Sequence, residues 1–504
     1  MSLPIHYNRL EVLRRIGSAS PNRVERLLLP ILVLLLALPL TAAGAQAQTP
    51  AEETPASENA APLQPRWQPV SGSPEGLELS LEDAVRRALD TNETVLLARA
   101  EQRRLGGELR QITSQALPQL DADADYVYNI EKPVLFLDSE DGVQEITIGS
   151  DYDVNAGVTL NQKVLDLRFG PARRSAQLDI SAARASLEDA ETAVALAARR
   201  AYYQALLARE LQTVQTQALE QARQRLDQVQ EFFDAGTAAE FDLLTAQVEV
   251  DNIRPELIQA ENDAALALEE LRRVTGIAAG TPLELVNGFP ETVPQVPAID
   301  AAVAEALENR ADLEAQRLRA ESADERTTAA ERSNFPTLDF ESAYRRNAST
   351  PDAFPGSDEF TNSWNATLSL TWPLFESGAR AGRVVAAEAI RDTEKLRLQQ
   401  LTEDARLEVR QAVLALRAAN QLVEASQSNV RRAERALEIA GVRYRNGLST
   451  QVELNDAELA VTRARSNYAQ ALYSAAVARA ELVAAQGGGV LVSTTAEEAP
   501  PSAR

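Results

Sequence analysis

The side chains able to do chemistry in this chain are carboxylates and little else. Of 504 residues, 74 are acidic and 50 basic, giving a formal net charge of −24. There is no Cys, and the single His, His6, precedes an N-terminal apolar run. Cys nucleophiles, disulfides, His-containing triads and His- or Cys-ligated zinc are therefore excluded downstream of it. The acidic balance also excludes nucleic acid as a partner, since phosphate calls for Lys/Arg patches. The acids fall into two patterns. "LPQLDADADYVY" sets Asp121, Asp123 and Asp125 at every second position, and "PTLDFESAYR" does the same with Asp339 and Glu341. Period two is the strand period, so each set shares one face. A close carboxylate pair can act as acid and base, but on a regularly alternating strand it reads as the wet face of a sheet. The second pattern is Glu453 and Asp456, spaced i, i+3 on one side of a helix. Two solvated charges near a helix start would look the same, because acids are favoured there.

The opposite faces of these strands are apolar. Ala122, Ala124, Tyr126 and Tyr128 alternate with the aspartates, and Leu338, Phe340 and Tyr344 with the second acidic set. "DYDVNAGVTLNQ" opposes Val154, Ala156, Val158 and Leu160 to polar partners. "SWNATLSLTW" does so with Trp364, Ala366, Leu368, Leu370 and Trp372. Tyr126, Tyr128, Trp364 and Trp372 sit toward strand ends, as aromatic residues do at a lipid interface. A soluble sheet resting on a core gives the same alternation. Here, however, only four strands are visible and no apolar layer is available to cover them, which favours lipid. Hydrocarbon does not tolerate the two open edges of a four-stranded sheet. Such a sheet must close by adding copies of the chain, since small barrels start at about 8 strands.

The strands belong to a chain written twice. "LEDAVRRALDTN" overlays "IDAAVAEALENR" at an offset of 218, and "FDAGTAAEFDLLTAQ" overlays "YRNGLSTQVELNDAE" at an offset of 211. The second overlay places Gly236 on Gly447 and Asp242 on Glu453. Each copy reads helix, strand, loop, strand, very long helix, tight turn, helix. The long helices are expected over about Leu167–Phe233 and Glu376–Tyr444, each roughly 100 Å at 1.5 Å per residue. Val409, Ala412, Leu416, Ala419, Val423, Ser426 and onward to Tyr444 step alternately by three and four, a heptad seam of large and small residues. The shorter helices, about Leu81–Gln115 and Ala238–Val274, together match one long helix end to end. Gly236 and Gly447 supply the tight turns.

Arg14, Arg15, Arg23 and Arg26 precede the apolar run "LLLPILVLLLALPL", and small residues follow, so 1–47 reads as an export signal peptide. Residues 48–78 read as a disordered Pro/Ala-rich linker. The two repeats then span 79–290 and 291–487, with a frayed tail over 488–504. The expected fold class is mainly α, with duplicated helix–strand–strand–helix repeats, a paired rod of long helices from each copy and four β-strands per chain; the resemblance below implies that the rods close into a long α-helical barrel.

The motifs "SLEDAVRRALDTN", "LPQLDADADY", "YYQALLA" and "YRNGLSTQVELNDAELAVTRARSNYAQALYSAAVARAEL", in this order, resemble the TolC-type outer membrane efflux family. The resemblance covers about Leu79 to Gly487. It implies a homotrimer whose strands close one transmembrane β-barrel, with an α-helical tunnel crossing the periplasm. It also implies a periplasmic adaptor protein and an inner membrane transporter as partners, outer membrane lipid around the barrel, no cofactor and no enzymatic activity. Under it, Asp121, Asp123, Asp125, Asp339 and Glu341 line the barrel lumen, and Tyr126, Tyr128, Trp364 and Trp372 face lipid. Gly236 and Gly447 form the periplasmic tips, and Glu453, Asp456, Asp242 and Tyr444 match the gate. Some family members tie the tip shut with an Arg where this chain has Ser449. The cargo, whether drug, metal ion or secreted protein, is not written in the sequence.

A periplasmic adaptor or a coiled-coil stalk is the alternative. Both would use long hairpins, but an adaptor would carry a single hairpin with compact β-domains, and a stalk would need no strand pairs.

Overall fold

The computed structural model describes residues 77–139, 142–290 and 295–488. The expected signal peptide, all of the linker but its last two residues, and the tail from 489 lie outside the described residues. The first copy runs β1 (Leu77–Leu79), α1 (Leu81–Thr91), α2 (Glu93–Ser114), β2 (Gln119–Tyr128), β3 (Val134–Ser139) and β4 (Gly142–Thr147). It continues with β5 (Tyr152–Leu165), α3 (Phe169–Asp234) and α4 (Glu240–Thr275). The second runs β6 (Leu283–Leu285), α5 (Ile299–Asn309), α6 (Ala311–Glu331), β7 (Thr337–Thr350), β8 (Thr361–Thr371), α7 (Ala379–Arg445) and α8 (Gln451–Ala485).

Helices α3 and α7, of 66 and 67 residues, are each roughly 100 Å long. α1, α2 and α4 pack along α3, and α5, α6 and α8 along α7; α6 and α8 also pack on α3, which joins the two copies. The seam of α7 is buried from Val409 to Ser426. Below that it is only half-buried down to Tyr444, because fewer helices surround it.

The expected helix over 81–115 is broken in two. Asn92 takes an extended ψ of 131°, and its side-chain oxygen accepts from the Thr94 amide at 2.9 Å, capping α2. The preference of Asn for an N-cap over a helix interior is the reason. Arg310 holds the same place in the second copy with ψ 121°. Unable to cap through a carbonyl, it ties helix ends together, bonding Asp312 at 2.8 Å, Glu408 at 2.6 Å and the Ala485 carbonyl at 3.3 Å. Each copy then closes on a glycine against this break. A Cβ on Gly276 (φ 65°) would stand 2.4 Å from Thr91 Oγ1, and one on Gly487 (φ 83°) 2.6 Å from the Asn309 carbonyl.

Two further differences concern short strands. Leu77–Leu79 is a strand, so the expected linker runs two residues too far; it pairs in parallel with β6 over Leu283–Leu285. Isolated three-residue strands carry too little periodicity to be read in advance. This pair caps an apolar cluster with α1, α3 and α4 that holds Tyr202 fully buried. The Tyr202 hydroxyl lies 3.2 Å from the carbonyls of Leu79 and Asn287 and accepts from the Asn287 amide at 3.1 Å. The loop expected between the first two strands of the first copy contains the antiparallel hairpin β3–β4.

Candidate functional site

Four strands form one sheet in the order β2-β5-β7-β8, every neighbour antiparallel. The register decides which side chains share a face. Asp121 aligns with Thr159, Ala343 and Asn365; Asp123 with Gly157, Arg345 and Ser363; Asp125 with Asn155, Asn347 and Thr361. Glu341 aligns with Asn161 and Thr367, and Asp339 with Lys163 and Ser369. All five expected acids therefore lie on one polar face. Gly157 is the low point of its row: a Cβ there would meet Arg345 Cγ at 2.9 Å and Asp123 Oδ1 at 3.4 Å, so the Arg345 stem crosses β5 where only glycine leaves room.

The other face carries Leu120, Leu160, Val158, Tyr344 and Trp364 in matching rows. Tyr126, Tyr128, Trp364 and Trp372 are 51, 56, 80 and 60% exposed. Tyr126 and Tyr128 cluster with Tyr152, at ring-centroid distances of 5.9 and 4.9 Å. Three of the four place a polar atom on a partner: Tyr126 donates to the Ala353 carbonyl at 2.8 Å, Trp364 to Ser342 Oγ at 2.9 Å and Trp372 to the Asn334 carbonyl at 3.0 Å. An apolar surrounding demands this pairing. The face is interrupted by Arg346, in the row of Ala124; its guanidinium stacks 5.0 Å from the Phe360 ring.

At the other end of the long helices lie the two turns. Gly236 (φ 73°) and Gly447 (φ 64°) both take the left-handed conformation that favours glycine. Thr450 caps α8, its hydroxyl accepting from the Glu453 amide at 3.3 Å, and Asp242 caps α4 by accepting from the Ala239 amide at 3.2 Å. Glu453 and Asp456 are exposed on one side of α8 and form no ion pair among the described residues. Tyr444 is half-buried. Burial pushes its phenol up, Arg225 pulls it down, and Asp242 adds to the rise. Asp242 is thus near enough to Tyr444 to act on its phenol electrostatically.

The centre of this tip is a group that sequence reasoning missed. Arg225 of α3 forms an ion pair with Glu458 of α8, donates to Asn455 Oδ1 at 3.2 Å, and lies 5.7 Å from the Tyr444 ring centroid. Its side chain is 10% exposed and that of Glu458 19%. Burial holds the Glu458 carboxyl above the ordinary carboxylate range. Arg225 draws it back without cancelling the effect, and Glu249 of α4 adds to the rise. A signal was available. Leu219, Ala222, Leu226 and Val229 are the apolar seam of α3, and Arg225 sits three residues after Ala222 and four before Val229. A charge in that position needs a partner across the seam. Ser449, where an Arg was expected, has a buried hydroxyl with no hydrogen-bond partner among the described residues. Higher up, Arg465 of α8 bonds Glu434 of α7 at 2.8 Å and Gln217 of α3 at 2.9 Å.

A duplicated column of roughly 100 Å helices, ending on one side in a two-faced open sheet and on the other in paired glycine turns, defines a class of envelope ducts. Known proteins place the chain within that class. The sequence matches the outer membrane efflux protein family over residues 84–277 and 302–488, and the chain belongs to that family. The two matched segments start 218 residues apart and end 211 apart, the same offsets that relate the copies. The chain is 29% identical to protein CyaE of Bordetella pertussis over 66% of this chain and 71% of that protein. It is 23% identical to the outer membrane protein TolC of Escherichia coli over 75% and 76%. In fold it resembles the Campylobacter jejuni CmeC outer membrane channel, with a TM-score of 0.70 and 20% identity over 81% of this chain and 86% of that one. The protein is an outer membrane exit duct for efflux or secretion, and its family is one of transport conduits rather than enzymes. The adaptor alternative is not favoured.

Proposed function

We propose that three copies of this chain close one twelve-stranded barrel in the outer membrane and one helical tunnel beneath it. The chain is then a passive conduit without catalytic activity, supplied by an inner membrane transporter through a periplasmic adaptor. The observation that carries this reading is the sheet. It has one acidic, hydroxylated face, one apolar face interrupted by Arg346, and, among the described residues, unpaired edges at β2 and β8. Water belongs on the first face and lipid on the second, so Asp121, Asp123, Asp125, Asp339 and Glu341 line the lumen while Tyr126, Tyr128, Trp364 and Trp372 meet lipid. β8 beside a neighbour's β2 is antiparallel like every other pair, so addition of copies removes both edges.

The glycine turns at 236 and 447 are the periplasmic tips. Threefold symmetry makes Glu453 and Asp456 a ring of carboxylates at the entrance, which attracts cations. Asp242 and Tyr444 complete the gate. Single-channel conductance of the purified trimer in a planar bilayer tests the reading. A small cation-preferring conductance is expected, rising when Glu453 and Asp456 become Ala. Well-folded protein that conducts nothing, with no rise in the double variant, would overturn it.

A further inference from the structure

Where the sheet passes into the helices, large apolar side chains stand uncovered. Leu165 and Leu167 lie where β5 leads into α3, Phe335 lies between α6 and β7, and Trp372, Leu374 and Phe375 lie between β8 and α7. All six are exposed, Leu374 and Phe375 at 80 and 86%. Apolar side chains uncovered as a group mark a contact with something apolar.

Hydrogen bonds join these junctions to one another. Arg332 donates to the Leu167 carbonyl at 3.3 Å, and Arg380 to the Glu331 carbonyl at 3.2 Å. The Trp372 indole, at the foot of the apolar face, donates to the Asn334 carbonyl at 3.0 Å. The three junctions therefore make one rim, and the arginines stand at the level of the apolar group. Each of these bonds uses one of the five N–H donors of a guanidinium. Carboxylates do not take up the rest. Asp166 is held by Arg168 at 2.8 Å and Glu376 by Arg383 at 2.6 Å. Arg332, Arg380 and Arg173, one turn into α3, are exposed and form no ion pair among the described residues; against them only Glu331 is left free. This excess of cations runs against a chain with a net charge of −24.

Apolar side chains beside unpaired guanidinium groups match the level of a bilayer at which acyl chains give way to phosphates. We propose that this rim sits in the periplasmic leaflet of the outer membrane and selects anionic phospholipids. Leu374 and Phe375 lie among acyl chains, and Arg332 and Arg380 meet lipid phosphates, whose oxygens suit the planar fork of arginine. A neighbouring copy could cover the apolar side chains, but it offers the cations no counter-charge. The segment that it would bring beside β8 and α7 holds no acid between Glu108 and Asp121. The inference rests on the barrel reading above and adds the class of lipid that the duct binds.

The chain has three tryptophans, Trp67, Trp364 and Trp372. Trp67→Phe with Trp364→Phe leaves Trp372 as a single fluorophore on the rim. In full-length trimers reconstituted into vesicles, its quenching reads contact with brominated lipid. Brominated phosphatidylglycerol is expected to compete for the rim better than brominated phosphatidylcholine, by about fivefold per arginine at low salt. Adding Arg332→Gln and Arg380→Gln should bring the ratio toward one and leave quenching by phosphatidylcholine unchanged. Raising the salt should also shrink the ratio. Equal quenching by the two lipids with both arginines present would overturn the preference. Its loss on adding inorganic phosphate, at ionic strength matched with chloride, would make free phosphate the occupant and overturn it too. Quenching by neither lipid, in trimers that conduct, would mean that protein covers the rim; the inference would fall and the barrel would stand. Failure to insert or conduct would overturn both readings.

Discussion

Replacing Arg225 by Ala should open the periplasmic tip. In the wild type, Arg225 reaches from α3 of the first copy to Glu458 and Asn455 of α8 and to the ring of Tyr444 in α7. With side chains only 10 and 19% exposed, the pair is barely screened by water. Removing one member of a buried ion pair costs roughly 3–5 kcal/mol, because the other charge stays behind without a partner. One flank of this pair reaches solvent, so the lower end, about 3 kcal/mol per protomer, is the appropriate figure. At 1.4 kcal/mol per tenfold, this shifts each closed tip toward the open state by about a hundredfold. Loss of the stacking on Tyr444 adds roughly 0.5–1 kcal/mol.

The pH dependence separates this account from simple unfolding. Glu458 is held above its ordinary pKa in the packed tip, with burial the first cause. The packed tip therefore binds the proton more tightly than an open tip in which Glu458 is solvated. Its contribution to closure is fully present below the ordinary carboxylate value and is lost as pH rises through the raised one. Acid should thus close the wild-type channel within that window. Arg225→Ala removes the opposing attraction, so it should conduct strongly at neutral pH and regain closure on acidification. Glu458→Gln in the same background leaves no buried charge and should recover much of the closed state at neutral pH. Single-channel recording across pH, on trimers shown to be folded by circular dichroism, reads all of this. An Arg225→Ala channel with wild-type conductance and pH profile would refute the reasoning, as would a double variant more open than the single one.

Further outcomes follow from the same structure. Ala124→Arg places a charge on the apolar face and should cost roughly 2–4 kcal/mol in outer membrane folding. Asp123→Arg, on the polar face of the neighbouring row, should cost far less; urea titration in lipid vesicles compares them. Glu453→Ala with Asp456→Ala should lower the preference for cations, read as a reversal-potential shift in asymmetric KCl. Gly276→Ala should lower the melting temperature more than Gly447→Ala. Both glycines have positive φ, for which a side chain costs roughly 1–2 kcal/mol, but only at Gly276 would the new Cβ also strike Thr91.

What was legible in the sequence was whatever repeats. The strands announced themselves because a two-faced sheet imposes period two on ten or more residues, and the long helices because a seam of small and large residues persisted over many turns. The duplication fixed the order of both. The break at Asn92 was written as "TNET" but hidden by apolar periodicity continuing through it, and β1 and β6 are too short to show any period. The tip divides in the same way. Gly236 and Gly447 could be found because a turn demands a conformation, and Tyr444 because the seam leads to it. Arg225 stands out as a charge in the α3 seam, but its neighbours do not say which residues it meets. Its role depends on Glu458 and Asn455, more than 200 residues away, which reach it only because α8 folds back against α3. The sequence position expected to hold the latch, Ser449, carries no charge, and the structure puts a guanidinium into the same tip from a different helix. Where closure needs an Arg, its place in space is constrained and its place in the chain is not. The gate of this duct should therefore be sought in the packing of α3 against α8 as much as in the acids at the start of α8.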